Sequence, residues 1–297
     1  MELYASGTID HSDVNIALDM QNPVSYVRWG AYRLDLRKKE RIYKSMADYL
    51  LYAKQYYGIE FSMFSFNESD LGIDVLYTPQ EHAEFIKEFG IWLVGLNLST
   101  RMLLGDNSDA TTFDFILPAL KDPATHKYIG AVSFHSWRDC DDATLNKWAD
   151  AAREINVPLL VGEGSTDAAA ARYAEIFNES TFALYEINLY ICICAICQPL
   201  SILQWQLTSD YSLLWGDGIY GSEGPLRPTQ RFWNIKQLAS TPADALTIPV
   251  SSSKRNVNCA AFGNMVRGEY AVHMVNNGAC CHFWHSGRGE RIETLYN

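Results

Sequence analysis

The chain is poor in basic residues. Its 24 Lys and Arg face 35 Asp and Glu, for a net charge of −11 at pH 7. That balance argues against nucleic acid or an anionic membrane surface as a partner, because both recruit a positive patch. A neutral ligand remains open. No disulfide framework is legible, since the seven cysteines are odd in number and irregular in spacing. There is no His-x-His pair and no clustered carboxylate–histidine set in the sequence, so a metal-dependent hydrolase ranks last among the enzyme classes. No run reaches the roughly 18 apolar residues of a membrane-spanning helix. The start, Met1-Glu2-Leu3-Tyr4-Ala5, lacks the basic and apolar regions of a secretory signal. These absences predict a soluble protein, and the chemistry expected of its paired carboxylates requires neither a metal nor an organic cofactor.

What is present is ordinary for a globular chain of 297 residues: 48% hydrophobic and 20% charged, enough for one large core or one large and one small. Aromatics reach 13%, with 8 Trp and 17 Tyr. Sugar-binding clefts use aromatic faces, but large cores use them too. Cys192, Cys194 and Cys197 fall in an apolar run with no histidine nearby, which reads as buried thiols rather than a zinc site. Vicinal Cys280 and Cys281 read as structural or incidental.

Short apolar stretches alternate with amphipathic ones as far as residue 238. Strands are predicted at 3–6 (weak), 59–66, 100–104, 128–134, 158–161 and 201–205. Helices are predicted at 38–57, from Thr78 to about 96, and at 111–121, 142–155, 167–197 and 229–239. The Thr78-Pro79-Gln80-Glu81 capping box and Gly58 after the first helix supply start and stop signals. This alternation implies a parallel sheet with helical crossovers. After Pro242 the rhythm changes to short strands at 246–250, 256–262, 269–275 and 281–284, with a turn signal at Asn276-Asn277-Gly278. The predicted fold is α/β: a (β/α)8 barrel of about six strands over residues 1–240, incomplete at its N-terminal side, and a partial antiparallel β-sandwich over 241–297.

Two glutamates stand at predicted strand ends. Glu68 follows the 59–66 strand and Glu163 follows the 158–161 strand, 95 residues later. A barrel spends roughly 30 residues per strand–helix unit, so three units separate them and both point to the same mouth. Paired carboxylates there are what retaining glycoside hydrolysis needs. Each also has a plainer reading, Glu68 as a loop carboxylate and Glu163 as a turn residue between Gly162 and Gly164. His135 ends another strand, as a rim histidine or a functional one. Trp205 ends the last, as core or as a stacking platform. Asp106 also lies at a strand end, where it can orient other groups. Asp210, Tyr211 and Trp215 are weaker candidates for subsite walls, and Trp29 either lines the cleft or caps the core. Asn-Glu by itself carries no weight, because it recurs as Asn178-Glu179 within helical sequence.

Together these features resemble clan A glycoside hydrolases, and family 30 most closely. The resemblance implies Asn67-Glu68 at the end of the fourth barrel strand and Glu163 at the end of the seventh. It implies His135 after the sixth strand and Trp205 on the eighth, under the reacting sugar. Glu68 would then be the acid/base, Glu163 the nucleophile and Asn67 a partner of the sugar 2-hydroxyl. The implied substrate is an oligosaccharide, polysaccharide or glycoside, and the implied location of the full-length protein is secreted or periplasmic. Counted this way, the first two strand–helix units are missing, along with an arginine of the second strand, so the chain is expected to be a fragment or to begin late. Trp137 stands where the clan often has tyrosine. The alternative is a non-catalytic carbohydrate-binding barrel, or an inactive fragment of such an enzyme.

Overall fold

The computed structural model describes residues 14–17, 31–66, 68–72, 75–166, 170–208 and 210–278. The expected strands at 3–6 and 281–284, and the residues Trp29, Asn67, Cys280 and Cys281, lie outside them. An antiparallel pair, β1 (Val14–Ala17) and β2 (Ala31–Leu34), comes first. Helix α1 (Lys39–Tyr57) buries Ile42, Met46 and Leu50 on one face, and Gly58 at φ 65° closes it in the left-handed conformation.

Five parallel strands follow in simple chain order: β3 (Met63–Phe64), β4 (Arg101–Asn107), β5 (Ile129–His135), β6 (Leu159–Gly164) and β7 (Ser201–Gln204). They form a curled half-barrel sheet. Helices cross between them: α2 (Pro79–Gly95), the short α3 (Leu117–Leu120) and α4 (Pro123–His126), α5 (Asp142–Glu154) and α6 (Ser180–Cys197). The Thr78–Glu81 capping box forms at the start of α2 as its sequence requires. Strands β4 and β5 are buried almost throughout, as parallel strands covered on both faces must be. Between sheet and helices lies one large core, with Trp148 of α5 stacked on Phe134 of β5 at 5.1 Å.

The strand expected at 59–66 is reduced to two residues. It lies at the edge of the sheet, and its start is held by side chains rather than by a ladder. Ser99 donates its N–H to Glu60 Oε1 at 2.7 Å, and Thr100 donates its hydroxyl to the Phe61 carbonyl at 2.6 Å.

Beyond β7 come the two-residue pair β8 (Leu214–Trp215) and β9 (Arg227–Pro228), then α7 (Gln230–Leu238). The C-terminal strands β10 (Leu246–Ile248), β11 (Val257–Asn264) and β12 (Glu269–Asn276) make an antiparallel three-stranded sheet. The β11–β12 hairpin turns where Asn264 Oδ1 accepts the N–H groups of Val266 and Arg267. Asn188 of α6 bonds to Asn258 and Asn277, joining this sheet to the helix layer.

Contrary to the expectation from uninterrupted runs, α6 is long and apolar enough to cross a membrane by length and composition. Its scattered polar residues hide this from a search for unbroken runs. Half of it is buried inside the protein, it packs against α5, α7 and β11, and Glu186 at its middle pairs with Arg231 of α7 at 2.7 Å. These are the surroundings of a core helix. Cys194 and Cys197 are buried on it, and burial pushes both thiols up to about 12. Cys197 donates to the Leu145 carbonyl.

Candidate active site

The C-terminal ends of β3 to β7 converge, and the side chains singled out from the sequence gather there. Glu68 sits in the loop after β3 at φ 48°, a left-handed conformation uncommon for a non-glycine residue. Its N–H donates to the Asp106 carbonyl at 3.1 Å, and its own carbonyl accepts from Leu71 and Gly72 at 3.1 and 2.9 Å. Two residues on, the Asp70 carboxylate accepts from Ser108 N–H (3.0 Å), Ser108 Oγ (2.8 Å) and Thr112 Oγ1 (2.7 Å). The loop bearing Glu68 is therefore fastened to the segment after β4.

Glu163 lies on β6 in register with His135 of β5. Its carbonyl accepts the N–H of Ser136 at 3.0 Å. Its Oε2 accepts the indole N–H of Trp137 at 3.2 Å. Trp137 is itself buried against Tyr211, ring centroids 4.8 Å apart. Tyr211, a candidate from its place after the last strand, is buried and packs against Trp137.

His135 is the centre of the cluster. Its Nδ1 lies 3.1 Å from Glu68 Oε1 and 3.2 Å from Glu163 Oε2, and its Nε2 lies 3.4 Å from Asp106 Oδ1. The ring is 1% exposed. Burial works against the imidazolium, but the acceptors on Asp106, Glu163 and Glu68 outweigh it and hold the histidine well above its ordinary pKa. For Glu68, burial is the largest influence and raises the carboxyl, with the Glu163 and Asp70 charges adding to it. The His135 contact opposes this without cancelling it. Burial also disfavours the Asp106 carboxylate, but His135 and Ser133 more than compensate and keep it low.

Trp205 follows β7 at the same end of the sheet, donates its N–H to the Gly164 carbonyl at 2.8 Å and is 39% exposed. The peptide bond after it is cis. Trp215 is half-buried against Tyr220.

The fold also corrects one expectation. A clustered carboxylate–histidine set, absent from the linear sequence, is built in space: Glu68, His135 and Glu163 each offer a donor atom, all within 4.8 Å of one another. Such a set can shuttle protons between carboxylates or hold a divalent cation. Asp70 and Ser133 carry no signal in the sequence. Nothing in the sequence ties Asp70 to Ser108 and Thr112. The glycine before Glu163 was a visible signal whose role only the packing explains.

No protein-family model and no curated protein matches the sequence. Solved structures do match in fold. SrfJ from Salmonella typhimurium superposes with a TM-score of 0.63 at 17% identity, over 82% of this chain and 56% of that one. A conserved exported protein from Bacteroides fragilis gives 0.59 at 12% identity, over 82% and 60%. The catalytic domain of GH30 xylanase C from Talaromyces cellulolyticus gives 0.57 at 17% identity, over 80% and 55%. The chain thus spans little more than half the length of these proteins, and its fold is glycosidase-like.

Proposed function

We propose that this chain carries the site of a retaining glycoside hydrolase of the clan A type, closest to family 30, acting on an oligosaccharide, polysaccharide or glycoside. One observation carries the proposal. Carboxylates from two strand ends meet on a single imidazole nitrogen, with donor oxygens within 4.8 Å of each other. That closeness suits retention, where the carboxyls stand about 5–5.5 Å apart, and leaves little room for the water of an inverting site at about 6.5–9.5 Å.

Glu68 is the acid/base, because burial and its carboxylate neighbours favour its protonated form. It passes its proton to the glycosidic oxygen as the carbon–oxygen bond breaks, while Glu163 bonds to the anomeric carbon. In the second step Glu68 takes a proton from water, the resulting hydroxide attacks the same carbon, and the Glu163 ester is released. Trp137 orients Glu163 through its indole N–H, the task given to tyrosine in much of the clan. Trp205 supplies the face under the sugar, and Asn67 binds its 2-hydroxyl. Residues 1–240 form the catalytic barrel unit and 241–297 the side β-domain. A secreted or periplasmic location accords with the exported neighbour from Bacteroides fragilis.

The test uses an activated aryl glycoside. Glu163→Gln should form no glycosyl-enzyme. Glu68→Ala should still form it, accumulate it, and be rescued by azide to a glycosyl azide of retained configuration. An inverted azide product would reverse the two roles. Wild-type protein that binds oligosaccharide without hydrolysing it would favour the alternative, a carbohydrate-binding barrel. The Glu68–His135–Glu163 donor set favours a second reading, metal-assisted hydrolysis. Activity lost on chelation and restored by zinc would select it.

A further inference from the structure

Beside Glu68, Glu163 and His135 stands a fourth residue, Asp106, which touches both the Glu68 loop and the His135 ring. Strand β4 carries an irregularity near its end: Gly105 pairs with Ser133 and Asn107 with Phe134, so Asp106 is the extra, unpaired residue of a bulge. Bulges beside functional sites re-aim a side chain. Here two successive left-handed residues, Gly105 at φ 96° and Asp106 at φ 60°, turn the strand end. For Asp106 that conformation is strained and persists only where the surroundings hold it.

The turn gives Asp106 two contacts at once. Its main-chain carbonyl accepts the Glu68 N–H at 3.1 Å. Its carboxylate Oδ1 faces His135 Nε2 at 3.4 Å and is held by the Ser133 hydroxyl at 2.9 Å. The other ring nitrogen of His135 is the atom shared by Glu68 and Glu163. Opposite lies Gly162, immediately before Glu163. A Cβ there would stand 2.3 Å from Asp106 Oδ1, 3.0 Å from Ser133 Oγ and 3.2 Å from His135 Nε2. The bare glycine leaves the space that the Asp106 carboxylate fills.

We propose that Asp106 is the positioning residue of this site, setting the His135 ring through its carboxylate and the Glu68 backbone through its carbonyl, in a space kept open by Gly162. Its consequence for reaction rate rests on the glycosidase reading; its hold on the ring does not.

Three variants separate the contributions. Asp106→Ala removes the acceptor. Asp106→Asn keeps the shape and an acceptor oxygen. Gly162→Ala leaves every hydrogen-bonding group in place but drives the carboxylate off the ring. The first readout is the pair of His135 ring nitrogen signals in 15N-histidine-labelled protein, assigned by their loss in His135→Gln. The second is the rate of covalent trapping at Glu163 by a 2-deoxy-2-fluoro aryl glycoside. Asp106→Ala and Gly162→Ala should both shift the His135 ring signals and slow trapping about 100-fold, the cost of misplacing a reacting group by about an ångström. Asp106→Asn should recover part of both, to within about 10-fold of wild type, as outer partners typically do. The proposal is overturned if the ring signals and the trapping rate of folded Gly162→Ala and Asp106→Ala match wild type. If wild-type protein is never trapped, the glycosidase reading fails, while the ring signals still decide the role of Asp106.

Discussion

His82 is a histidine with no business titrating near neutrality. It is buried on α2, and its Nε2 accepts the Gly105 N–H at 3.1 Å, so the ring proton resides on Nδ1. Burial lowers its pKa to about 4 from an ordinary 6.5. A depressed histidine stabilises the fold fully above the unfolded value of 6.5, and that stability is lost as pH falls through the interval toward 4, where the unfolded chain binds the proton first. The loss is about 3 kcal/mol for a shift of this size. Urea midpoints measured from pH 7 to pH 4 should therefore fall more steeply for wild type than for His82→Gln, and parallel curves would contradict the assignment. At this scale the candidate site was half legible. Glu68, Glu163 and His135 were visible because each ends an apolar stretch. Asp70, Ser133 and the function of Gly162 were not, because their partners come from other strands.

Helix α2 shows how an element can be right in sequence and misleading in detail. Its capping box and apolar spacing mark its place, and it forms over Pro79–Gly95. Gly90 in its interior looks like a weakness, since alanine in an exposed helix would gain about 1 kcal/mol. In the fold, however, a Cβ at Gly90 would lie 2.4 Å from Tyr128 Cγ and 2.6 Å from its Cβ, atoms too near the backbone to swing aside. Gly90→Ala should therefore destabilise the protein by about 1–3 kcal/mol, the usual cost of overpacking. Thermal unfolding would check the sign, and a raised midpoint would refute it. Strand β3 misleads in the other direction. A sequence pattern reports apolar alternation, whereas ladder length depends on neighbours. With the Glu60 side chain taken by the Ser99 N–H and the Phe61 carbonyl by the Thr100 hydroxyl, the long apolar stretch yields two paired residues. The bulge at Asp106 is invisible for the same reason, since register is a property of two strands.

Across the whole molecule, Arg231 and Glu186 join parts that are remote in sequence. Arg231 is fully buried and donates twice to Glu186, at 2.9 and 2.7 Å, and to the carbonyls of Tyr211 and Ser212, both at 2.9 Å. Glu186 also accepts from Ser165, two residues beyond Glu163. One pair thus ties α6 and α7 to the loops after β6 and β7. Arg231→Met should cost about 3–5 kcal/mol by stranding a buried carboxylate, and Glu186→Leu with Arg231→Met should cost less than Arg231→Met alone. Denaturant unfolding measures both, and a single-variant loss below about 1 kcal/mol would deny the pair its role. The sequence by itself determined the alternation of strands and helices, the parallel sheet with its crossovers, the change to antiparallel strands after Pro242, and the residues at the strand ends. These follow from periodicity, caps and turn residues, which are local. Tertiary structure alone decided that two carboxylates share one imidazole nitrogen, that Asp106 reaches both the His135 ring and the Glu68 N–H, and that an apolar helix is a core helix built around an ion pair. Those facts depend on distances between segments tens of residues apart, which chain order does not encode and only packing sets.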